Sequence, residues 1–248
     1  MSYAEIHFHL LPGVDDGPSS MKETVALAAA AAAEGTHTIV TTPHVHRSFV
    51  DDPTTLPARV EEVRARLAAE RIPIEIRCGG EVDLAIATDL SDAQLETIAH
   101  GPRGRRWVLL ESPLRGLGDD YTTVADELRA RGFAVVVAHP ERSFRRPEAA
   151  WRAVEQEAAA GSALQINAWS VAGLYGERVR ETAMSLLARA PRTVVASDAH
   201  GEARMPALGL AVDALTRAGV SDADRLVSVA PYELLEHGLA AAPNELAA

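Results

Sequence analysis

One cysteine in 248 residues, Cys78, leaves no partner for an intrachain disulfide, so nothing in the chain demands an oxidising compartment. Basic residues are outnumbered: 24 Lys and Arg stand against 35 Asp and Glu, and the net charge of −11 has the wrong sign for a phosphate backbone or an anionic lipid surface. Nucleic acid and membrane are therefore not expected partners. Long apolar runs are missing as well. The longest, Val25 to Ala33, has nine residues between Glu23 and Glu34, far short of the roughly 20 that a membrane-spanning helix needs. It reads as an Ala-rich buried helix. The opening MSYAEIHFHL has no basic stretch, so no secretory signal is expected and the protein is read as soluble and cytoplasmic. Aromatic residues, at 4%, leave few rings to wall a ligand pocket.

What remains is a globular composition, 47% hydrophobic and 24% charged. Seven short apolar or β-branched runs alternate with helical patterns: 4–8, 38–42, 72–78, 107–111, 133–138, 163–167 and 193–197. That alternation belongs to βαβ units around a parallel sheet. Ser20-x-x-Glu23 and Ser91-x-x-Gln94 predict capping boxes, and Gly35, Gly132, Gly161 and Gly219 predict helix ends. With no linker or low-complexity stretch between repeats, residues 1–248 are expected to form one domain.

Such repeats suit an open doubly wound sheet or a closed barrel. Polar residues decide between them. His7 and His9 stand at the first run, His44 after the second, Glu81 after the third, Glu111 at the end of the fourth, His139 after the fifth, and Asp198 and His200 after the seventh. Only a barrel brings all those ends to one mouth, so the expected α/β fold is a (β/α)7 TIM-like barrel with a site at the C-terminal face of the strands. His7-x-His9 puts two imidazoles on one face of a strand, and Asp198-x-His200 repeats the spacing on the last. A solvated surface does not account for so many ligand-type residues at strand ends; a metal cluster does. Without thiolate among them, the set suits zinc, manganese or iron.

The motifs IHFHLLPGVDDGPSS, TTPH (41–44), GGE (79–81), LLES (109–112), AHPER (138–142) and SDAH (197–200) run in order along almost the whole chain. Together they resemble the polymerase-and-histidinol-phosphatase (PHP) superfamily and, through the DDG, its bacterial capsule-type protein-tyrosine phosphatases of the CpsB/CapC kind. The resemblance implies a distorted seven-stranded barrel, the PHP fold, holding three divalent metal ions, manganese first and iron or zinc as alternatives. His7, His9, Glu81 and Asp198 would hold the first metal, Glu81, Glu111 and His139 the second, and Asp16, His44 and His200 the third, with Asp15 as the rival of Asp16. Arg142 and Arg204 match the family's phosphate-contacting arginines. Four carboxylates (Asp16, Glu81, Glu111, Asp198) against three such ions and these two arginines would leave the mouth positive although the chain is acidic. A hydroxide shared between two such metals is the expected nucleophile toward phosphorus, and His46, in a polar loop, is a candidate general acid read from the sequence and not from the resemblance.

The implied activity is hydrolysis of phosphotyrosine on a protein, a capsule or exopolysaccharide tyrosine kinase, with a small phosphomonoester such as histidinol phosphate or a sugar or nucleotide phosphate as the alternative substrate. Phe49, Tyr121 and Trp169 are the candidate pocket rings. A cysteine-dependent phosphatase loop is absent, since Leu84 and not arginine stands six residues after Cys78, and there is neither a G-x-S-x-G elbow nor a P-loop. An amidohydrolase-type barrel would have eight strands and often a metal-bridging lysine. A phosphotyrosine-binding module would not need so full a ligand set. Asp83 is read as a support for the site, His37, His100 and His237 as structural or solvated, and Arg105, Arg106, Arg145 and Arg146 as surface ion pairs.

Overall fold

The computed structural model describes residues 2–241; positions 1 and 242–248 of the expected domain lie outside the described residues. Nine strands and nine α-helices alternate among them. The strands are β1 (Tyr3–Glu5), β2 (Thr36–Thr41), β3 (His44–Val45), β4 (Glu75–Cys78), β5 (Glu81–Val82), β6 (Trp107–Glu111), β7 (Ala134–Ala138), β8 (Ala163–Asn167) and β9 (Thr193–Ala196). The helices are α1 (Met21–Ala33), α2 (Leu56–Ala69), α3 (Asp92–Ile98), α4 (Asp119–Ala130), α5 (Pro147–Ala159), α6 (Ala168–Val171), α7 (Glu177–Arg189), α8 (Leu208–Arg217) and α9 (Val229–His237). Every strand pairing is parallel, in one sheet of order β1-β2-β4 and another of order β3-β5-β6-β7-β8-β9.

The seven expected runs match this α/β pattern, and two of them are followed by a further two-residue strand, β3 and β5, that was not expected. Pro43 lacks the N–H that a ladder needs and separates β2 from β3. Gly79 and Gly80 separate β4 from β5, where a Cβ would come within 2.6 Å of Val40 Cγ1 and of Val45 Cγ2 respectively. Backbone bonds bridge both interruptions: Gly79 N–H donates to the Thr41 carbonyl and Glu81 N–H to the Pro43 carbonyl, each at 3.0 Å. β1 is shorter than expected. The chain bends at Ile6 and His7, and the following residues bond to the segment after β9, with Asp198 N–H on the His7 carbonyl (3.0 Å) and His9 N–H on the Ala199 carbonyl (2.9 Å).

Period-two alternation sorts the strand side chains into two cores. Val108, Leu110, Val135, Val137, Leu164, Ile166 and Val195 face the helices in the larger cluster. Trp107, Leu109, Val136, Ala138, Val194 and Ala196 form the smaller one with Ile6, Val40 and residues of α9. Burying Trp107 alone removes roughly 150–250 Å² from water, a gross gain of about 4–6 kcal/mol. Its Nε1 donates to the Leu234 carbonyl at 2.9 Å, fixing α9 over this end.

Helix ends follow the expected signals, with one exception. Ser91 and Gln94 form the reciprocal capping box. Ser20 accepts from Glu23 N–H, but the Glu23 carboxylate turns to Ser19, taking its N–H at 2.7 Å and its hydroxyl at 3.0 Å, so that box is only half made. No described helix is long and apolar enough to cross a membrane.

Candidate metal centre

The inward rows change character along the strands. In β6 the row reads Trp107, Leu109, Glu111; in β8, Ala163, Gln165, Asn167; from β9 onward, Val194, Ala196, Asp198. His139 and Asp198 follow β7 and β9 in left-handed backbone, at φ 35° and 52°, a conformation that L-residues adopt at a cost and that clusters at functional sites.

Four overlapping groups of ligand atoms gather at this end: His9, Asp16, His44 and His200; His7, His9 and Asp198; His7, Glu81 and His139; His44, Glu81 and Glu111. All nine expected ligands belong to at least one group. Glu81 is central. Its Oε2 lies 3.2 Å from His7 Nε2, 3.4 Å from His9 Nε2 and 3.1 Å from His44 Nδ1, while Oε1 meets His139 Nε2 at 2.9 Å. Asp198 Oδ1 is 3.3 Å from His7 Nε2 and 3.5 Å from His9 Nε2. His44 belongs both with Glu111, 3.8 Å from its Nδ1, and with Asp16, 3.5 Å from its Nε2. His200 Nε2 faces Asp16 Oδ1 at 3.2 Å.

This donor set fits cations. Glu81 Oε2 is fully buried and, although three imidazole nitrogens surround it, makes no hydrogen bond. A desolvated carboxylate oxygen without a hydrogen bond is left uncompensated, which a positive ion would correct. The charges already strain toward that. Burial works against ionising Glu81, yet His7 and His44 hold its carboxyl well below the usual range. Burial, with the charges of Glu81 and Asp83, pushes Glu111 up to about 8. His200, hydrogen-bonded to Asp16, draws that carboxyl down to about 2.

The two adjacent aspartates take different work. Both Asp15 oxygens are spent within the protein, Oδ2 on His9 Nδ1 (2.7 Å) and His44 N–H (3.0 Å) and Oδ1 on Gly17 N–H (3.0 Å). Asp16 keeps an oxygen facing two imidazoles. Arg142 and Arg204 converge on Asp198 Oδ2, at 3.1 and 2.9 Å. His46 is in none of the four groups; its Nδ1 accepts Ser48 N–H at 3.0 Å, and its ring lies 6.0 Å from Phe49, which stacks 5.8 Å from His44. Trp169 donates to the Met205 carbonyl at 3.0 Å, beside the His200 loop. Tyr121 cannot line a pocket, being fully buried with its hydroxyl on the Leu110 carbonyl at 3.1 Å. Asp83 caps Ala85 N–H at 2.8 Å. His100 is buried against Trp107, while His37 and His237 are exposed away from the strand ends. Burial raises the Cys78 thiol to about 11, which suits a packed residue and no nucleophile. Of the four arginines expected in surface pairs only Arg106 has one, with Glu96 at 2.8 Å; Arg105, Arg145 and Arg146 have none among the described residues.

Three supporting groups escaped the sequence reading. Gln165 Oε1 meets His7 Nδ1 at 2.8 Å and accepts His139 N–H at 3.1 Å, and its amide donates to Asn167 Oδ1 at 2.9 Å. Asn167 in turn donates to Asp198 Oδ2 at 2.7 Å. Glu5, which burial pushes up to about 8, accepts Ser197 N–H at 2.8 Å and braces the turn into Asp198. Gln-x-Asn inside an apolar strand was the available signal, because period two aims both amides inward with the ligands.

The fold and this cluster define a class: α/β proteins whose parallel strands gather side chains able to bind metal at one end. The phosphotriesterase from Mycobacterium tuberculosis shares the fold, at a TM-score of 0.58 and 14% identity with 94% of each chain covered. More narrowly, the chain belongs to the CpsB/CapC family of capsular polysaccharide synthesis, which matches residues 3–236, as the motifs led us to expect. It is 29% identical over 202 residues to tyrosine-protein phosphatase YwqE of Bacillus subtilis (strain 168), covering 79% of this chain and 76% of that protein. To tyrosine-protein phosphatase CpsB of Streptococcus pneumoniae it is 28% identical over 225 residues, 86% of this chain and 89% of the other. The solved structures of YwqE and CpsB, described as metal-dependent tyrosine phosphatases, include a chain that superposes with a TM-score of 0.82 at 27% identity, over 94% of this chain and 93% of that one.

Proposed function

We propose that this chain is a metal-dependent protein-tyrosine phosphatase acting in the cytoplasm on a capsule or exopolysaccharide tyrosine kinase. The observation that carries the reading is Glu81 Oε2, buried without a hydrogen bond among the nitrogens of His7, His9 and His44. The names of the relatives supply the phosphotyrosyl substrate, and the family's role in capsular polysaccharide synthesis supplies the kinase. A chain with one free cysteine and no long apolar helix among the described residues suits the cytoplasm.

We read the two sheets as one distorted seven-stranded barrel within a single domain, on the strength of the backbone bonds that join β1's continuation to the segment after β9. Three divalent ions, manganese first, would be held by His7, His9, Glu81 and Asp198; by Glu81, Glu111 and His139; and by Asp16, His44 and His200. What such ions supply when bound is positive charge at the phosphoryl oxygens and more acidic water. Arg142 and Arg204 anchor on Asp198 and keep further N–H groups for the phosphoryl oxygens, a match of planar donors to oxyanion. Gln165 and Asn167 hold His7 and Asp198 in register, and Phe49 offers a ring wall beside His44 for the tyrosyl group. Since His46 accepts at Nδ1, its Nε2–H is the donor left to hydrogen-bond the leaving oxygen, and a phenolate, whose conjugate acid has a pKa of about 10, can depart with that support and without full protonation.

The test is phosphate release from a phosphotyrosyl peptide and from histidinol phosphate, before and after exhaustive chelation and on return of manganese, iron(II) or zinc. Chelation should abolish turnover, manganese should restore it best, and the peptide should have the higher kcat/KM. Undiminished cleavage after chelation overturns the metal reading. A preference for histidinol phosphate makes the protein a small-molecule phosphatase, and peptide binding without cleavage by the reloaded protein makes it a binding module.

A further inference from the structure

Two unlike cavities adjoin the cluster. One, of about 540 Å³, shares Asp16 and His200 with it and is lined further by Glu23, Glu202, Leu27 and Met205. The second, of about 160 Å³, is lined by Arg142, Arg145 and Arg178 with Phe144, Val179 and Thr182, over a floor that includes Glu141. Arg142 belongs to both the small cavity and the metal centre, since its guanidinium reaches Asp198 Oδ2 at 3.1 Å. The other two arginines are exposed and stand on separate elements, Arg145 after β7 and Arg178 in the first turn of α7. Arg178 spends one N–H on the Phe144 carbonyl at 3.2 Å. Nearby Glu177 is taken by Arg180 at 2.9 Å, and among the described residues neither Arg145 nor Arg178 makes an ion pair. The one carboxylate on the floor, Glu141, has its Oε1 on Asn167 N–H at 2.9 Å and the Ser170 hydroxyl at 2.6 Å and forms no ion pair with them, so it offsets at most one of the three guanidinium charges.

In a chain of net charge −11, three guanidinium groups around one small cavity with no carboxylate paired to the outer two leave a local positive field directed at the site's edge. We propose that Arg145 and Arg178 form an oxyanion subsite that receives a second anionic group on the phosphotyrosyl chain, close in sequence to the phosphotyrosine. The inference rests on the phosphatase reading above and adds to it a preference among substrates. A carboxylate and a second phosphoryl group share the chemistry that guanidinium forks recognise. Glu23 and Glu202 at the other cavity repel the same group, which favours the arginine side for it.

The experiment uses the manganese-loaded protein with four substrates: p-nitrophenyl phosphate, a phosphotyrosyl peptide with neutral flanks, the same peptide with flanking Asp and Glu, and one with a second phosphotyrosine. Arg145→Glu and Arg178→Lys are compared with Arg103→Glu, an exposed control in the 100–106 turn at the far end of the strands. The acidic and doubly phosphorylated peptides should show a KM about five-fold below that of the neutral peptide, the upper range of one exposed charge pair, with kcat alike. Arg145→Glu should erase that advantage while turnover of p-nitrophenyl phosphate holds, and Arg103→Glu should leave it intact. A lower KM for only one of the two peptides assigns the subsite to that anion. Equal KM values for neutral and acidic peptides in an active wild-type enzyme overturn the subsite and leave the phosphatase standing, as does an Arg103→Glu effect equal to that of Arg145→Glu, which would mean diffuse attraction. Absence of turnover on all four substrates sinks the phosphatase reading and the subsite with it.

Discussion

At the start of the strands Trp107, Ala134, Ala163 and Val194 face inward, and α9 closes over them with Leu234 and Leu235. Four residues further along the same chains stand Glu111, Ala138, Asn167 and Asp198, with His139 next to Ala138. The apolar end gains free energy from burial and one well-placed indole hydrogen bond. The polar end concentrates desolvated carboxylates and imidazoles, at a cost that the surrounding fold must carry. One face of one set of strands thus divides into an end that holds the molecule together and an end that is held ready for ligands.

The sharpest way to break the comparison is at Glu81. Replacing it with Gln should lower kcat/KM for aryl phosphate by a factor of about 10³ or more, in the range found when a transition-state-stabilising group is removed, while the urea midpoint in chelator stays near that of the wild type. Retained activity in Glu81→Gln would show that the central ligand had been misassigned. Trp107→Ala should do the reverse. A cavity at the sealed end should cost about 3–5 kcal/mol in urea unfolding, and the protein that remains folded at low temperature should bind manganese as the wild type does. Loss of metal affinity without loss of stability would mean that the two ends are not separable.

Gln165→Leu tests the junction between them. Without its amide, His7 and the His139 backbone lose a partner, and manganese affinity should fall ten- to a hundred-fold, the range for groups that orient ligands; titration calorimetry reads this directly, and unchanged affinity removes Gln165 from the site.

The smallest effect is a pH dependence seated at the apolar end. His100 packs 5.1 Å from Trp107, and burial, followed by the charges of Arg106 and Arg77, lowers its pKa to about 3. The unfolded chain therefore binds the extra proton between about 6.5 and 3. This contribution is complete above pH 6.5 and is lost as pH falls, by about 2 kcal/mol at pH 5. Wild type should lose more stability than His100→Phe between pH 7.5 and 5 in urea melts; equal losses would refute the assignment.

Much of the architecture was legible. Runs 107–111 and 163–167 coincide with β6 and β8 residue for residue, because apolar β-branched stretches between turn signals have few other readings. The first and third runs came out shorter, for reasons beyond composition: Ile6 and His7 bend to bring two histidines under the last strand, and the 72–78 run begins pairing only at Glu75, after Pro73. For His46, the candidate general acid, the sequence offered only a histidine in a polar loop; its ring lies beside Phe49 and its Nδ1 accepts Ser48 N–H, contacts that no local pattern announces. Gln165 and Asn167 were overlooked because neutral amides carry no charge signal, although their spacing matched that of the histidine pair.

By itself the sequence determined which residue types lie at which strand ends, and hence that a set of imidazoles and carboxylates costly to dehydrate would share one rim, since alternation and turn chemistry are local properties of the chain. Only the tertiary structure decided that Asp16 and not Asp15 keeps an oxygen free, that His44 lies between two groups of candidate ligand atoms, and that two amides bond to His7 and Asp198. Those outcomes depend on hydrogen bonds between residues as far apart as 7 and 165, whose lone pairs can be directed only once the strands have been brought side by side.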